Sequence, residues 1–240
     1  MSLSNALGYL TVLPIPFKKQ VPLGRSVHFF PLVGVGMGSV LVLVFVALRS
    51  FLPDLLACLA VIGLLEAMSG GIHLRAVAEL VDGRRTFPGS GFGPREEFGV
   101  RGRAAVTLVL VIKVVALAQT RVDWQPFALL LAPILGRTSQ ALGIIFSRHR
   151  LASKGPPDSV VKRRRIRALF FIAALLSVFA LFPWVAAAIL AALYFLVVVV
   201  SYRSFNARFE GLTVQTLGTV AEISETVFLA ACTVLSLLLN

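Results

Sequence analysis

The sequence predicts an all-α protein, a polytopic integral membrane helix bundle that forms one domain over residues 1–240. Hydrophobic residues make up 58% of the chain and charged residues 14%, whereas soluble domains are about half apolar and about a quarter charged. The apolar residues fall in runs long enough to cross a membrane. Basic residues concentrate in alternate connections between those runs, which is typical of cytoplasmic loops.

Seven candidate membrane helices are marked by apolar runs bounded by charged residues, glycine or proline. They cover residues 29–48, 52–68, 104–118, 127–146, 166–182, 184–200 and 219–239. The second and third runs are short or interrupted by charge, so the pattern also permits six or eight spans.

The distribution of the 23 lysines and arginines predicts the orientation. If the N-terminus is cytoplasmic, 19 of them lie on the cytoplasmic side, with only Arg49 and Arg121 outside. The cytoplasmic side then includes the three longest connections, 69–103, 147–165 and 201–218. Any reaction that involves these connections would take place on that side.

The net charge of +12 would suggest nucleic acid for a soluble chain, but on a membrane chain it more often reflects topology. We therefore expect membrane lipid, and no nucleic acid, as a partner. The basic run at residues 162–167 favours an anchor on anionic lipid over a site for a polyanionic substrate. A transporter is disfavoured because no internal repeat is visible.

Charged residues at membrane depth cost several kcal/mol unless they are paired, so each is a candidate functional residue. Five such residues are present: Glu66, Lys113, Arg137, Glu222 and Glu225. Because Glu222 and Glu225 share one helix face, they are expected to pair with Lys113 or Arg137 across the bundle. Two interpretations of these residues are open: an ion-pair network that fixes helix packing, or a role in a binding site.

The densest polar stretch, residues 69–83, follows the second predicted span. As a helix it places Arg75, Glu79 and Asp82 on one face. The two carboxylates could hold Mg²⁺ completed by water and phosphate, but Arg75 is placed to form a competing salt bridge with Glu79. An ion-paired helix end is the favoured interpretation, and His73 lacks a partner at zinc-ligand spacing.

Several motifs, in order along the chain, resemble the adenosylcobinamide-GDP ribazoletransferase family, also called cobalamin-5′-phosphate synthase. The N-terminal pair is Leu13-Pro14-Ile15-Pro16 and Phe30-Pro31-Leu32-Val33-Gly34, and the next motif is Gly70-Gly71-Ile72-His73-Leu74 with Asp82-Gly83. The later matches are Gly99, Lys113, Ala132-Pro133, Arg137, Arg148-His149-Arg150, Gly211, Thr213, Gly218, Glu222 and Glu225.

The resemblance implies a magnesium-dependent transfer at the cytoplasmic face of the bacterial cytoplasmic (inner) membrane. The 5′-hydroxyl or phosphate end of α-ribazole would attack the β-phosphorus of adenosylcobinamide-GDP and release GMP. It implies catalytic roles for His73, Glu79 and Asp82, with Glu79 and Asp82 as metal ligands. It implies substrate-binding roles for Arg75, Arg95, Lys113, Arg137, Arg148, Arg150, Thr213, Glu222 and Glu225.

The chain departs from the family pattern at acidic positions, where it has Arg75, Arg95 and Gln215. Arginine side chains could clamp phosphate directly in place of a lost metal ligand. The alternative is a catalytically silent relative that anchors or assembles corrinoid enzymes. A homo-oligomer or a complex with enzymes of corrinoid synthesis is a further expectation.

Overall fold

A computed structural model describes residues 2–12, 26–84, 97–146, 170, 172–174, 176–208 and 213–239. Every regular element in these ranges is helical. The α-helices are α1 (Ser2–Leu10), α2 (Phe30–Arg49), α3 (Asp54–Ser69), α4 (Ile72–Val81), α5 (Val100–Gln119), α6 (Gln125–Phe146), α7 (Trp184–Arg208) and α8 (Val214–Leu238), and a 3₁₀ turn at Val27–Phe29 leads into α2. The predicted all-α bundle is confirmed.

Six of the seven predicted spans correspond to α2, α3, α5, α6, α7 and α8. The remaining one, 166–182, lies partly outside the described residues, although 172–174 and 176–179 are helical. In the described part of the chain, four helices are long and apolar enough to cross a membrane, or five if α3 and α4 form one bent span. The count of seven and the cytoplasmic N-terminus stay predictions.

The predicted connection at 201–218 is wrong at both ends, because α7 continues to Arg208 and α8 begins at Val214. The extra turns of α7 carry exposed polar residues, including Arg203 and Asn206. Such residues end an apolar run without ending a helix, because long polar side chains extend from the helix into water.

Helix α6 forms the centre of the bundle, and most of its residues are buried. Helix α2 packs closely against it through Gly34 and Gly38. A Cβ on Gly34 would lie 2.7 Å from the Ile134 Cα atom, and one on Gly38 would lie 2.9 Å from the Leu130 Cα atom. Small residues four apart allow helix backbones to approach in this way in membrane proteins.

Exposed apolar side chains cover the outside of the bundle, for example Leu43 on α2, Leu108 on α5 and Leu196 on α7. An apolar surface of this extent is unfavourable in water and suits the lipid hydrocarbon. Together with the long apolar helices, it identifies the chain as a membrane protein.

Two consecutive glycines separate α3 from α4 and turn the chain by 86°. Gly70 and Gly71 have φ values of +66° and +63°, a left-handed conformation that is costly for residues with a Cβ atom. The backbone N–H groups of Gly70 and Gly71 donate to the carbonyls of Ala67 and Glu66, which closes the end of α3. The bend lays α4 against α5 and α8 and so positions the polar residues of the predicted motif.

Candidate active site

The polar residues of α4 lie beside the N-terminal ends of α5 and α8. The Nε atom of Arg75 donates to Oε1 of Glu79 at 2.7 Å, so the predicted ion pair within α4 is confirmed. Glu79 is buried, and its second oxygen, Oε2, has no hydrogen-bond partner among the described residues. One oxygen of this carboxylate is therefore occupied by Arg75 and the other is available.

Asp82 ends α4 and accepts two hydrogen bonds from the start of α5. The backbone N–H of Gly99 donates to Oδ2 at 2.7 Å, and that of Gly102 donates to Oδ1 at 2.8 Å. A carboxylate here satisfies two amides that have no partner within the helix and interacts favourably with the helix dipole. Asp82 thus holds α5 against α4, a role the sequence analysis did not foresee.

These contacts bear on the predicted magnesium site. Mg²⁺ commonly uses one or two protein carboxylates and completes its shell with phosphate and water. Glu79 fits this arrangement because Oε2 is free, whereas both oxygens of Asp82 already accept backbone amides. The metal assignment stays a prediction, and of its two carboxylates Glu79 is the better suited ligand.

The five charged residues predicted at membrane depth form one buried network between α3, α5, α6 and α8. Lys113 Nζ lies 3.0 Å from Glu66 Oε1 and 3.1 Å from Glu225 Oε2, and it also contacts Glu222 Oε1. Arg137 Nη1 lies 3.4 Å from Glu225 Oε1. The predicted pairing of Glu222 and Glu225 with Lys113 or Arg137 is confirmed: Glu222 pairs with Lys113, and Glu225 pairs with both cations. Glu66 is a further member of the network.

This network has three carboxylates and two cations, so its formal charge is −1 when all five groups are ionised. Oxygens of Glu66, Glu222 and Glu225 lie within 4.8 Å of one another, close enough to hold a metal ion. The ammonium of Lys113 touches all three carboxylates and supplies the cation that such a cluster requires. The geometry therefore favours the helix-packing role, since the network ties four helices together.

His73 and Gln140 meet between α4 and α6 at the wall of a cavity. The amide Nε2 of Gln140 lies 3.4 Å from His73 Nδ1, and both side chains are buried. Gln140 was missed at the sequence level, although a polar residue one turn from Arg137 in an apolar helix is itself a signal.

The N-terminus of α8 uses its own polar residues to cap the helix. The backbone N–H of Thr216 donates to Oγ1 of Thr213 at 3.1 Å, and the Thr213 N–H donates to Oγ1 of Thr216 at 2.9 Å. Gln215 donates from Nε2 to the carbonyl of Arg84 at 2.9 Å. These bonds fix α8 against the end of α4.

Three of the predicted substrate-binding residues, Arg95, Arg148 and Arg150, lie outside the described residues. The basic run 162–167 lies there as well. The substrate-binding roles of Arg75, Lys113, Arg137, Thr213, Glu222 and Glu225 stay predictions, and the contacts described above show what each of these side chains touches.

The fold and site define a helical membrane protein with a polar site at the bend between α3 and α4 and a buried charge network across the bundle. The chain belongs to the cobalamin-5-phosphate synthase family, whose model matches residues 2–233. The resemblance of its motifs to this family is confirmed.

Individual relatives match along nearly the whole chain. An adenosylcobinamide-GDP ribazoletransferase of Pseudomonas paraeruginosa is 34% identical over 248 residues, covering 96% of each chain. Proteins of the same name from Acinetobacter baumannii and Thermoanaerobacter pseudethanolicus are 29% and 26% identical, covering 93% and 92% of each chain. No solved structure matches this chain.

Proposed function

We propose that the protein is a cobalamin synthase-like membrane transferase that joins α-ribazole to adenosylcobinamide-GDP and releases GMP. The observation that carries this proposal is the family match over residues 2–233, together with full-length relatives that bear the transferase name. The geometry supports it because His73 and Glu79 each keep a buried polar atom without a partner among the described residues. Such atoms are costly in a folded protein and are common in ligand sites.

The transfer forms one phosphorus–oxygen bond and breaks another. A ribose hydroxyl of α-ribazole loses its proton and attacks the β-phosphorus of adenosylcobinamide-GDP, a phosphodiester bond forms, and the bond to the departing GMP breaks. Phosphoryl transfer depends mainly on positioning and on stabilising negative charge. The basic residues of the chain, Arg75 among them, provide the positive charge that a diphosphate requires.

A magnesium ion is part of the proposal. Glu79 would hold the ion through Oε2. Asp82 follows three residues later, at the end of α4, and each of its oxygens has a further lone pair. When bound, Mg²⁺ neutralises charge on the diphosphate. Asp82 itself keeps the start of α5 in place, so its contribution to the reaction is chiefly to position the site.

The proposed location is the bacterial cytoplasmic membrane, with the site facing the cytoplasm. This assignment is supported by the concentration of basic residues in alternate connections between the apolar runs. The site residues of α4 and the start of α8 border those connections.

A catalytically silent relative that assembles corrinoid enzymes is the second candidate, and one contact favours it. The guanidinium of Arg75 occupies Oε1 of Glu79, where the family pattern carries an acidic residue in place of the arginine. Release of GMP by the purified protein from adenosylcobinamide-GDP and α-ribazole separates the two functions. A silent relative would release none.

A further inference from the structure

A cavity of about 520 Å³, including its open mouth, lies between α1, the start of α2, α4, α6 and α8. Its walls are mostly apolar and include Tyr9, Phe30, Ile144 and Leu217. About 110 Å³ of this space is open to the centres of water molecules, which is room for several waters or for one small ring system. No lysine or arginine is among the described residues that line it, so the cavity is unsuited to the diphosphate.

Besides Tyr9 with its hydroxyl group, the wall contains two polar side chains, His73 and Gln140. Because an amide nitrogen only donates, the contact of Gln140 Nε2 with His73 Nδ1 makes Nδ1 the acceptor. A neutral histidine then carries its proton on Nε2. Both His73 Nε2 and Gln140 Oε1 are buried without a hydrogen-bond partner among the described residues, so this pair of side chains offers a donor and an acceptor.

The ligand that matches these walls is a planar aromatic heterocycle with an acceptor nitrogen in its ring. Aromatic and aliphatic side chains contact the faces of such a ring, and a buried N–H donor pairs with its nitrogen. A benzimidazole nucleoside has this chemistry, because one ring nitrogen bears the sugar and the other is a free acceptor. The corrinoid macrocycle is far larger and carries many polar side chains.

We propose that this cavity binds the aromatic base of α-ribazole, with the Nε2–H of His73 donating to the ring nitrogen that does not carry the sugar. The proposal rests on the transferase function proposed above and assigns His73 to substrate binding. His73 and Glu79 are six residues apart on α4, or about 9 Å along the helix axis at about 1.5 Å per residue. At 3.6 residues per turn the two side chains also lie about 120° apart around the helix, so a base beside His73 leaves Glu79 free for the transfer itself.

The test compares two ligands that differ at one ring atom. α-Ribazole is titrated into the full-length protein in lipid nanodiscs by calorimetry, beside an analogue in which an indole with the same methyl groups replaces the benzimidazole. The indole has the same shape but a C–H group where the acceptor nitrogen was. We expect the protein to bind α-ribazole about 5- to 150-fold more tightly, because the analogue leaves the buried donor unpaired.

The variant His73→Phe retains a ring but lacks the donor. In this variant the ratio of the affinities for α-ribazole and for the indole analogue should fall to about one. A second pair of variants does not depend on His73. Leu217→Trp fills the cavity and should weaken α-ribazole binding at least tenfold, whereas Leu237→Trp, on the exposed side of the same helix, should not change it.

The outcomes separate this proposal from the transferase function. If α-ribazole does not bind, or both ligands bind equally well to the unaltered protein, the base does not lie beside His73, even where GMP release is observed. If α-ribazole binds with the expected preference and no GMP is released, the binding site holds and the transferase function fails.

Discussion

The ammonium of Lys113 on α5 forms an ion pair with the carboxylate of Glu222 on α8, and neither side chain is more than 1% exposed. The same ammonium reaches Glu66 on α3 and Glu225 on α8. One lysine therefore contacts three carboxylates in a region where isolated charges are costly, and Arg137 supplies the second positive charge of the network.

The first prediction concerns the balance of this network. Replacing Lys113→Met should lower the free energy of unfolding by about 3–5 kcal/mol, because it leaves three carboxylates with Arg137 alone. Glu222→Gln should cost much less, since the network carries one more negative than positive group. The free energy of unfolding of both variants is measured in mixed micelles. The control is Arg121→Met, because Arg121 forms an exposed ion pair with Asp123. Equal losses for Lys113→Met and Glu222→Gln would contradict this account.

A second prediction addresses Asp82 as the cap of α5. Asp82→Ala should lower the free energy of unfolding by about 1–2 kcal/mol, because the amides of Gly99 and Gly102 lose their acceptor. Asp82→Asn should lose less, because it keeps one acceptor oxygen. The control is Asp123→Ala, whose carboxylate is exposed at its pair with Arg121. Stability unchanged by Asp82→Ala would show that the two bonds contribute nothing.

The third prediction concerns Arg75, which occupies one oxygen of Glu79. Arg75→Gln should tighten Mg²⁺ binding by about tenfold, because a charge-assisted hydrogen bond of about 1.5 kcal/mol no longer competes for the carboxylate. Calorimetric titration with Mg²⁺ measures the change, and Arg75→Gln combined with Glu79→Gln serves as the matched control. An affinity that Arg75→Gln leaves unchanged would mean that Glu79 does not bind the ion.

The fourth prediction addresses the bend between α3 and α4. Gly71→Ala should lower the free energy of unfolding by about 1–2 kcal/mol, because a Cβ atom is strained at a φ value of +63° even in open space. Gly63→Ala is the matched control, since Gly63 lies within α3 and also has open space around it. There, alanine should stabilise the helix by about 0.5–1 kcal/mol. The same sign for both substitutions would contradict the backbone explanation.

Much of the fold was predictable because membrane helices leave a strong signal in the sequence. The apolar runs located α2, α6 and α8, and the need to pair charges in lipid predicted that Glu225 and Arg137 would meet. The end of α7 was misplaced because polar residues at a membrane surface stop the apolar pattern while the helix continues to Arg208.

The finer features of the site could not be predicted. Asp82 bonds to backbone amides 17 and 20 residues later in the chain, and backbone groups have no signature in the sequence. The meeting of His73 with Gln140 depends on the 86° bend before α4, whose angle follows from two glycine conformations. Periodicity correctly placed Arg75 beside Glu79, because that pair depends only on helix geometry.

The central claim is that this chain transfers a corrinoid phosphoryl group, and GMP release tests it most directly. Purified protein in lipid nanodiscs is given adenosylcobinamide-GDP, α-ribazole and Mg²⁺, beside the variants Glu79→Gln and Asp123→Asn. The account predicts GMP release that requires α-ribazole, falls at least 100-fold in Glu79→Gln and is unchanged in Asp123→Asn, because Asp123 is exposed and paired with Arg121. The absence of release from folded protein, with an active relative working in parallel, would contradict the claim and favour the silent relative.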